Sequence, residues 1–331
     1  MGRAAEPPSE IELVAQFNPL YERFQHQVPT DTLLAHYTSI QVMESILRNN
    51  EVWFSNPLFM NDMQEMRSGL EEGTRFFSNK ELLLKAAGGD ARRADILQQL
   101  YFFYFRHFDE QQAIDTYIFC LTEHDSSHDD GLLSMWRGYG QHGNGAALIF
   151  DPSKLTLVPT SPLIFGKVSY VSDAQRTEQV NAMLNEWVAL TERLALPDDK
   201  LHLAAYVAFS LVKTHALMTK HSGFSEENEW RVMYYPERDS TDALKQYLGY
   251  HIGDRGVEPK LKYKIGHLAN VSAPDLALER ILNRIILGPS LSSMLAKRSV
   301  ERMLEVIGKP HFKELLRTSG IPLRPTSGSS F

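Results

Sequence analysis

With 331 residues, of which 43% are hydrophobic and 23% charged, the chain has the composition of a globular protein and the length to bury a core. A formal charge of −7 argues against sequence-independent wrapping of nucleic acid, which needs a cationic face, but leaves room for a local basic groove. A single cysteine, Cys120, rules out an internal disulfide. Its setting, Tyr117-Ile118-Phe119-Cys120-Leu121, reads as a small buried thiol rather than a nucleophile.

Met1 to Glu12 is polar and lacks an apolar signal core, and Glu6 stands where a myristoylation signal wants Ser or Thr. The longest apolar stretch, Leu203 to Val212, is about half a membrane span. The expected address is therefore the cytoplasm, with no membrane partner. Glu10 to Gln25 reads as a helix carrying a proline at residue 19. Leu33 to Tyr37 reads as a strand ending at Thr38, and Thr38-Ser39-Ile40-Gln41 fits the capping-box pattern of a helix start. Ile40, Met43 and Leu47 recur at helical spacing, and Val52 to Ser55 follows as a short strand closed by Asn56-Pro57. From Phe59 to Gln112 the chain is proline-free and helix-rich, with a break at Gly88-Gly89-Asp90. Strands are expected at Thr116–Thr122, Gly145–Asp151 and Ile164–Val171, then two long helices within about 173–221. Further strands fall at Glu229–Tyr235, Lys260–Gly266 and Arg284–Gly288, and Leu291 to Ile307 is helical.

Helices of uneven length separate the strands without a βαβ repeat, which indicates an α+β fold. No linker divides the chain. The expected organisation is a tail and helix over 1–27, one α+β domain over 28–325 with helical insertions at about 62–112 and 173–221, and a flexible tail at 326–331.

Four segments could carry chemistry. Gly138-Tyr139-Gly140-Gln141-His142-Gly143 formally matches G-x-G-x-x-G, but a dinucleotide fingerprint needs a strand before it and a helix after it. Here the order is reversed, so these glycines read as a helix-to-strand turn. His124, His128, Asp129 and Asp130 could supply ligands to a metal-dependent nuclease or hydrolase. The Asp, Ser and Gly around them favour a solvated loop instead. His36-Tyr37-Thr38 lies where a strand hands over to a helix, a place that presents side chains from a rigid scaffold; the plainer account is a core His and Tyr with Thr38 as a cap. Period-two geometry puts Glu229, Arg231 and Met233 on one face of a strand and Trp230 and Val232 on the other. The Trp/Val face suits a core, so the Glu229–Arg231 face is expected to be exposed, where such a pair contributes little.

Together these segments resemble a known pattern: His36-Tyr37-Thr38-Ser39, Trp53-Phe54-Ser55, Phe59-Met60-Asn61-Asp62 with Glu65, Met135-Trp136, Tyr139, Gly145 to Asp151, Glu227-x-Glu229-Trp230-Arg231, and Ile286-Leu287-Gly288-Pro289. The pattern, from about 33 to 325, is similar to that of a large bacterial family labelled a domain of unknown function and often found near phage-defence genes. The opening His-aromatic-Thr also resembles that of ADP-ribosyltransferases, including toxins that modify DNA bases. That resemblance implies a split, twisted β-sheet core gripping NAD, with helical insertions. By position, His36 would hold an NAD ribose and Thr38 would lie near the nicotinamide pocket. Tyr37, Ser55, Asn61 and Arg231 would belong to the binding site, and Trp136 or Tyr139 would pack on a ring. Glu229 would be the late catalytic glutamate and Glu227 the substrate-directing acid.

The residue types suit the reaction. Cleavage of the nicotinamide–ribose bond leaves an oxocarbenium-like ribose that a carboxylate stabilises without a metal. The leading expectation is an NAD-dependent ADP-ribosyltransferase or NAD glycohydrolase, acting in anti-phage defence or as a toxin, with NAD as substrate and no metal. Its acceptor would be an unidentified protein or nucleic acid, and a defence-system protein a possible partner. The alternatives are the metal-dependent hydrolase of the His124–Asp130 segment and a non-catalytic sensor of a nucleotide or phage protein.

Overall fold

A computed structural model describes residues 8–24, 32–60, 63–109, 113–155, 157–253 and 256–323. In chain order these form α1 (Glu10–Ala15), β1 (Leu33–Thr38), α2 (Ile40–Asn49), β2 (Glu51–Ser55), α3 (Met63–Phe77), α4 (Lys80–Ala86), α5 (Ala91–His107) and β3 (Tyr117–His124). There follow α6 (Leu133–Gly138), β4 (Ala146–Phe150), β5 (Leu163–Lys167), β6 (Ser169–Val171), α7 (Asp173–Leu194), α8 (Leu201–Met218), β7 (Thr219–His221) and β8 (Glu229–Tyr234). The chain ends with β9 (Leu248–Gly253), β10 (Gly256–Lys264), α9 (Leu278–Ile281), β11 (Leu282–Leu287), α10 (Met294–Val306) and β12 (Leu316–Thr318). The fold is α+β.

The chain forms two compact units, one of Met1–His26, Pro57–Asp115 and Val168–Phe224, the other of Gln27–Asn56, Thr116–Lys167 and Ser225–Phe331. The first unit is helical and takes in both stretches expected as helical insertions. Its centre is α8, which buries Leu203, Phe209, Leu211 and Leu217 together with Lys213, Thr214 and His215. By length and composition the segment Asp198–Met218 could cross a membrane, but 83% of its apolar window is buried inside the structure. Phe77 stacks on Tyr101 at 3.8 Å between α3 and α5, and Trp187 of α7 donates its indole N–H to the Ala204 carbonyl of α8 at 3.0 Å. The expected strand Ile164–Val171 is broken in two here: β6 leaves the main sheet and pairs in parallel with β7.

The second unit is built on a mixed ten-stranded sheet of order β12-β11-β4-β1-β3-β2-β10-β9, with β8 also on β3 and β5 on β8. Among the described residues, β11 and β12 are the one parallel pair within this sheet. Alternation along the strands separates two cores. Leu34, Leu121, Leu148, Trp230 and Ile285 belong to the larger one, and Leu33, Ala35, Tyr37, Ala147 and Ile149 to the smaller, which Met135 and Trp136 of α6 close. The helix after β1 begins one residue later than the capping-box pattern implies. Ser39, not Thr38, is the N-cap and accepts from the Val42 N–H, because Thr38 is still paired with Ala146 in the sheet.

Candidate functional site

The sheet parts at β1. This strand bridges β3 only through Leu33, Leu34 and Ala35, opposite His124, Glu123 and Thr122. Beyond Ala35, β1 continues against β4 as far as Thr38, whereas β3 continues against β8 and meets β2 at Ile118–Ser55. His36 is the first residue past the parting. Its Nδ1 lies 3.2 Å from the Cys120 carbonyl, and its ring is 4.6 Å from that of Phe119. A carbonyl only accepts, so Nδ1 carries the proton and the neutral ring presents Nε2 as an acceptor. Burial disfavours the imidazolium and lowers the pKa of His36, partly offset by the bond to Cys120.

Glu229 opens β8, and the pair it makes with Arg231 differs from the exposed one the alternation implies. Both residues are buried, at 4% and 2% exposure. Arg231 donates from Nε and Nη2 to the two Glu229 oxygens at 2.8 and 2.9 Å, a side-on fork that fixes the carboxylate plane. Both faces of β8 are thus covered, and Trp230 on the other face stacks on Phe165 at 5.2 Å. The Trp230 indole N–H donates to Glu123 at 2.9 Å, and Lys167 pairs with the same carboxylate at 2.6 Å. Sequence reasoning did not single out Glu123. Its signal was an acid following Leu121 at core-facing spacing near the end of a strand.

Register fixes how the two principal residues stand to one another. Ala35, Thr122 and Glu229 form one cross-strand row, so Glu229 shares the face of Ala35 and Tyr37. His36 pairs with Leu148 and leaves the sheet on the other face. The two residues lie on strands flanking β3, about 10 Å apart across the sheet, but register does not aim them into a common cleft.

The remaining candidates divide into braces and exposed groups. Tyr37 accepts the Leu132 N–H at 2.9 Å, and burial pushes its phenol up to about 12. Trp136 is fully buried, meets the Tyr37 ring edge-on at 4.8 Å and donates to the Asp130 carbonyl at 2.8 Å. Its indole is thus enclosed by the protein's own packing. Tyr139 is 45% exposed, and its hydroxyl donates to Glu227 at 2.9 Å, so these two are brought together. Thr38 is buried at the end of β1. Ser55 accepts from Lys260 at 2.9 Å, and Lys260 also pairs with Glu258 at 3.1 Å. Asn61 and Asp62 lie outside the described residues.

The metal-like segment is a structured loop. Asp125 caps the Ser127 N–H, Asp129 pairs with Arg284 at 2.7 Å, and the Asp130 carboxylate accepts the Gly320 N–H at 2.6 Å. The Asp130 carbonyl, besides holding Trp136, accepts the Ser319 hydroxyl at 2.7 Å. His124 is buried, and its pKa falls to about 4, mainly through desolvation and then through Arg284 and His128. Among the described residues, no group of three or more His, Cys, Asp or Glu side chains is placed to hold a metal ion. Asp129 and Asp130 are thus engaged in structural contacts.

The glycine-rich segment is, as its order implied, a helix-to-strand turn between α6 and β4. Gln141, His142 and Gly143 all have positive φ, and a shallow groove of about 440 Å³ runs along Arg137, Tyr139, Gln141 and His142. Gly145 is required at the turn's exit, since a Cβ there would sit 2.2 Å from the Thr38 carbonyl oxygen.

A family model described as a protein of unknown function (DUF2971) matches residues 135–232. The matched stretch runs from α6 into β8, so it contains Trp136, Tyr139, Glu227, Glu229 and Arg231 and leaves out His36 and Ser55. No curated protein and no solved structure matches the chain.

Proposed function

We propose that the second unit binds NAD at the parting between β1 and β3 and cleaves its nicotinamide–ribose bond, as an ADP-ribosyltransferase or NAD glycohydrolase does. The observation that carries this reading is the parting itself, with His36 as the first residue beyond it. A split sheet with a histidine on its first strand and a late glutamate is what the resemblance to ADP-ribosyltransferases implies. The matched family stretch, residues 135–232, includes Glu229, Trp230 and Arg231.

In this reading the ligand meets His36 at the parting, and Glu229 acts from the far side of β3 and from the opposite face of the sheet. The Nε2 lone pair of His36 accepts from a ribose hydroxyl. Glu229, oriented by Arg231, stabilises the positive charge that develops on the ribose as the C1′–N1 bond breaks and its electron pair passes to nicotinamide. The acceptor's oxygen or nitrogen then attacks C1′ and gives its proton to Glu227, which Tyr139 holds near the surface. Where water is the acceptor, the product is free ADP-ribose. The resemblance to proteins of phage-defence neighbourhoods supplies the setting, antiviral defence or a toxin, with a macromolecular acceptor.

The test is nicotinamide release from NAD by purified protein, with and without cell lysate as acceptor source. Wild type should release it, and E229Q should do so about 100-fold or more slowly, the typical effect of removing one transition-state-stabilising group. Because Glu229 is buried, folding of E229Q is checked by circular dichroism. A folded E229Q with unchanged turnover, or a wild type that neither binds nor cleaves NAD, refutes the reading.

A further inference from the structure

The helical unit contains a guanidinium that the chain does not satisfy. Arg176 stands in the first turn of α7 and is 3% exposed. Its Nη1 approaches Asp173 at 3.6 Å, but Nε and Nη2 are buried and meet no hydrogen-bond acceptor among the described residues. Two physical costs coincide here. A buried charge held by a single carboxylate at 3.6 Å, with two donors unpaired, is unfavourable. A cation in the first turn also opposes the positive end of the helix macrodipole, here that of a 22-residue helix. An anion against Nε and Nη2 would relieve both.

Arg176 lines a groove of about 300 Å³ between α3 and α7, shared with Ser68, Glu71, Glu72, Arg75, Asp173 and Thr177. The edge it leaves open, Nε with Nη2, is the same edge by which Arg231 holds the Glu229 carboxylate. That fork matches a planar carboxylate in two parallel bonds. The rim selects for charge. Glu71 and Glu72 share Arg75, at 3.9 and 2.5 Å, and the Asp173 side chain is 87% exposed, so a multiply charged anion would meet more repulsion than a monoanion. The unpartnered Nδ1 of His215, on α8, lies close enough to Arg176 for the guanidinium to disfavour its protonation; a bound carboxylate would reverse that influence.

We propose that Arg176 anchors a binding site for a small monocarboxylate in the α3–α7 groove, independent of the NAD reading. The probe is acetate, compared with inorganic phosphate and with chloride at equal ionic strength, on the full chain. Acetate should raise the thermal midpoint above the chloride value, and phosphate should raise it less. R176M, which replaces the buried charge with an apolar stem of similar length, should be at least as stable as wild type in chloride and should lose the acetate response. R176K keeps the charge but not the fork, and should bind acetate about tenfold or more weakly; it decides the matter if R176M does not fold. A wild-type midpoint equal in acetate and chloride overturns the site. So does an acetate response that survives in R176M, or in R176K at wild-type affinity. A response to phosphate but not to acetate overturns the carboxylate class.

Discussion

Replacing His124 with glutamine should make the protein less sensitive to acid. The imidazole is buried on the last residue of β3, and desolvation, followed by Arg284 and His128, lowers its pKa to about 4 from the ordinary histidine value of 6.5. Below pH 6.5 the unfolded chain takes up a proton at this position that the folded one refuses. Stability therefore rises with pH through the window from about 4 to 6.5, and is lost as the pH falls through it. At ~1.36 kcal/mol per unit, the gap corresponds to about 3 kcal/mol in full, of which roughly 2 kcal/mol disappears between pH 7 and pH 5. Urea unfolding at those two values measures it. The wild-type free energy should drop by about 2 kcal/mol more than that of H124Q, with similar m-values. The imidazole resonances of His124 should also titrate near pH 4. Equal losses in the two proteins, or a His124 that titrates near 6.5, would refute the reasoning.

Two further substitutions probe how the site is held. Y37F removes the acceptor of the Leu132 N–H and should cost about 1 kcal/mol by urea unfolding, the worth of one partly buried hydrogen bond. If Tyr37 touched only ligand, Y37F would leave stability unchanged. G145A forces a Cβ onto the Thr38 carbonyl and the Gly140 backbone, neither of which is a flexible side-chain end, and should destabilise by about 3 kcal/mol. A thermal midpoint within a degree of wild type would show that this turn yields more easily than its packing implies.

The parts of the fold that depend on local pattern were readable in the residues. The α2 stripe and the alternation of β8 came from apolar spacing, and the Gly88-Gly89-Asp90 break from turn chemistry, with Asp90 serving as the N-cap of α5. Where local cues were weak, reading stopped. β9 carries glycines at both 249 and 253 with exposed residues between, so it shows no burial pattern, and β12 has only three residues. The Ile164–Val171 run looked continuous because what divides it, the pairing of β6 with β7, involves residues about fifty positions away. The site shows the same limit. Glu229 and Arg231 were identified as neighbours on one face, but their burial depends on what covers that face. The bond from His36 to the Cys120 carbonyl joins positions 84 residues apart and has no signature in either segment.

Asp130 gives the candidate site an unexpected dependence. Its carbonyl holds both the Trp136 indole and the Ser319 hydroxyl, and its carboxylate holds the Gly320 N–H. One loop residue thus knots the helix beneath Tyr139 to the strand end of β12, nearly two hundred positions further along the chain. The groove beside Tyr139 is therefore tensioned from the C-terminal end of the fold. A cut, a fusion or a bound partner near Ser319 should therefore perturb the packing of Trp136.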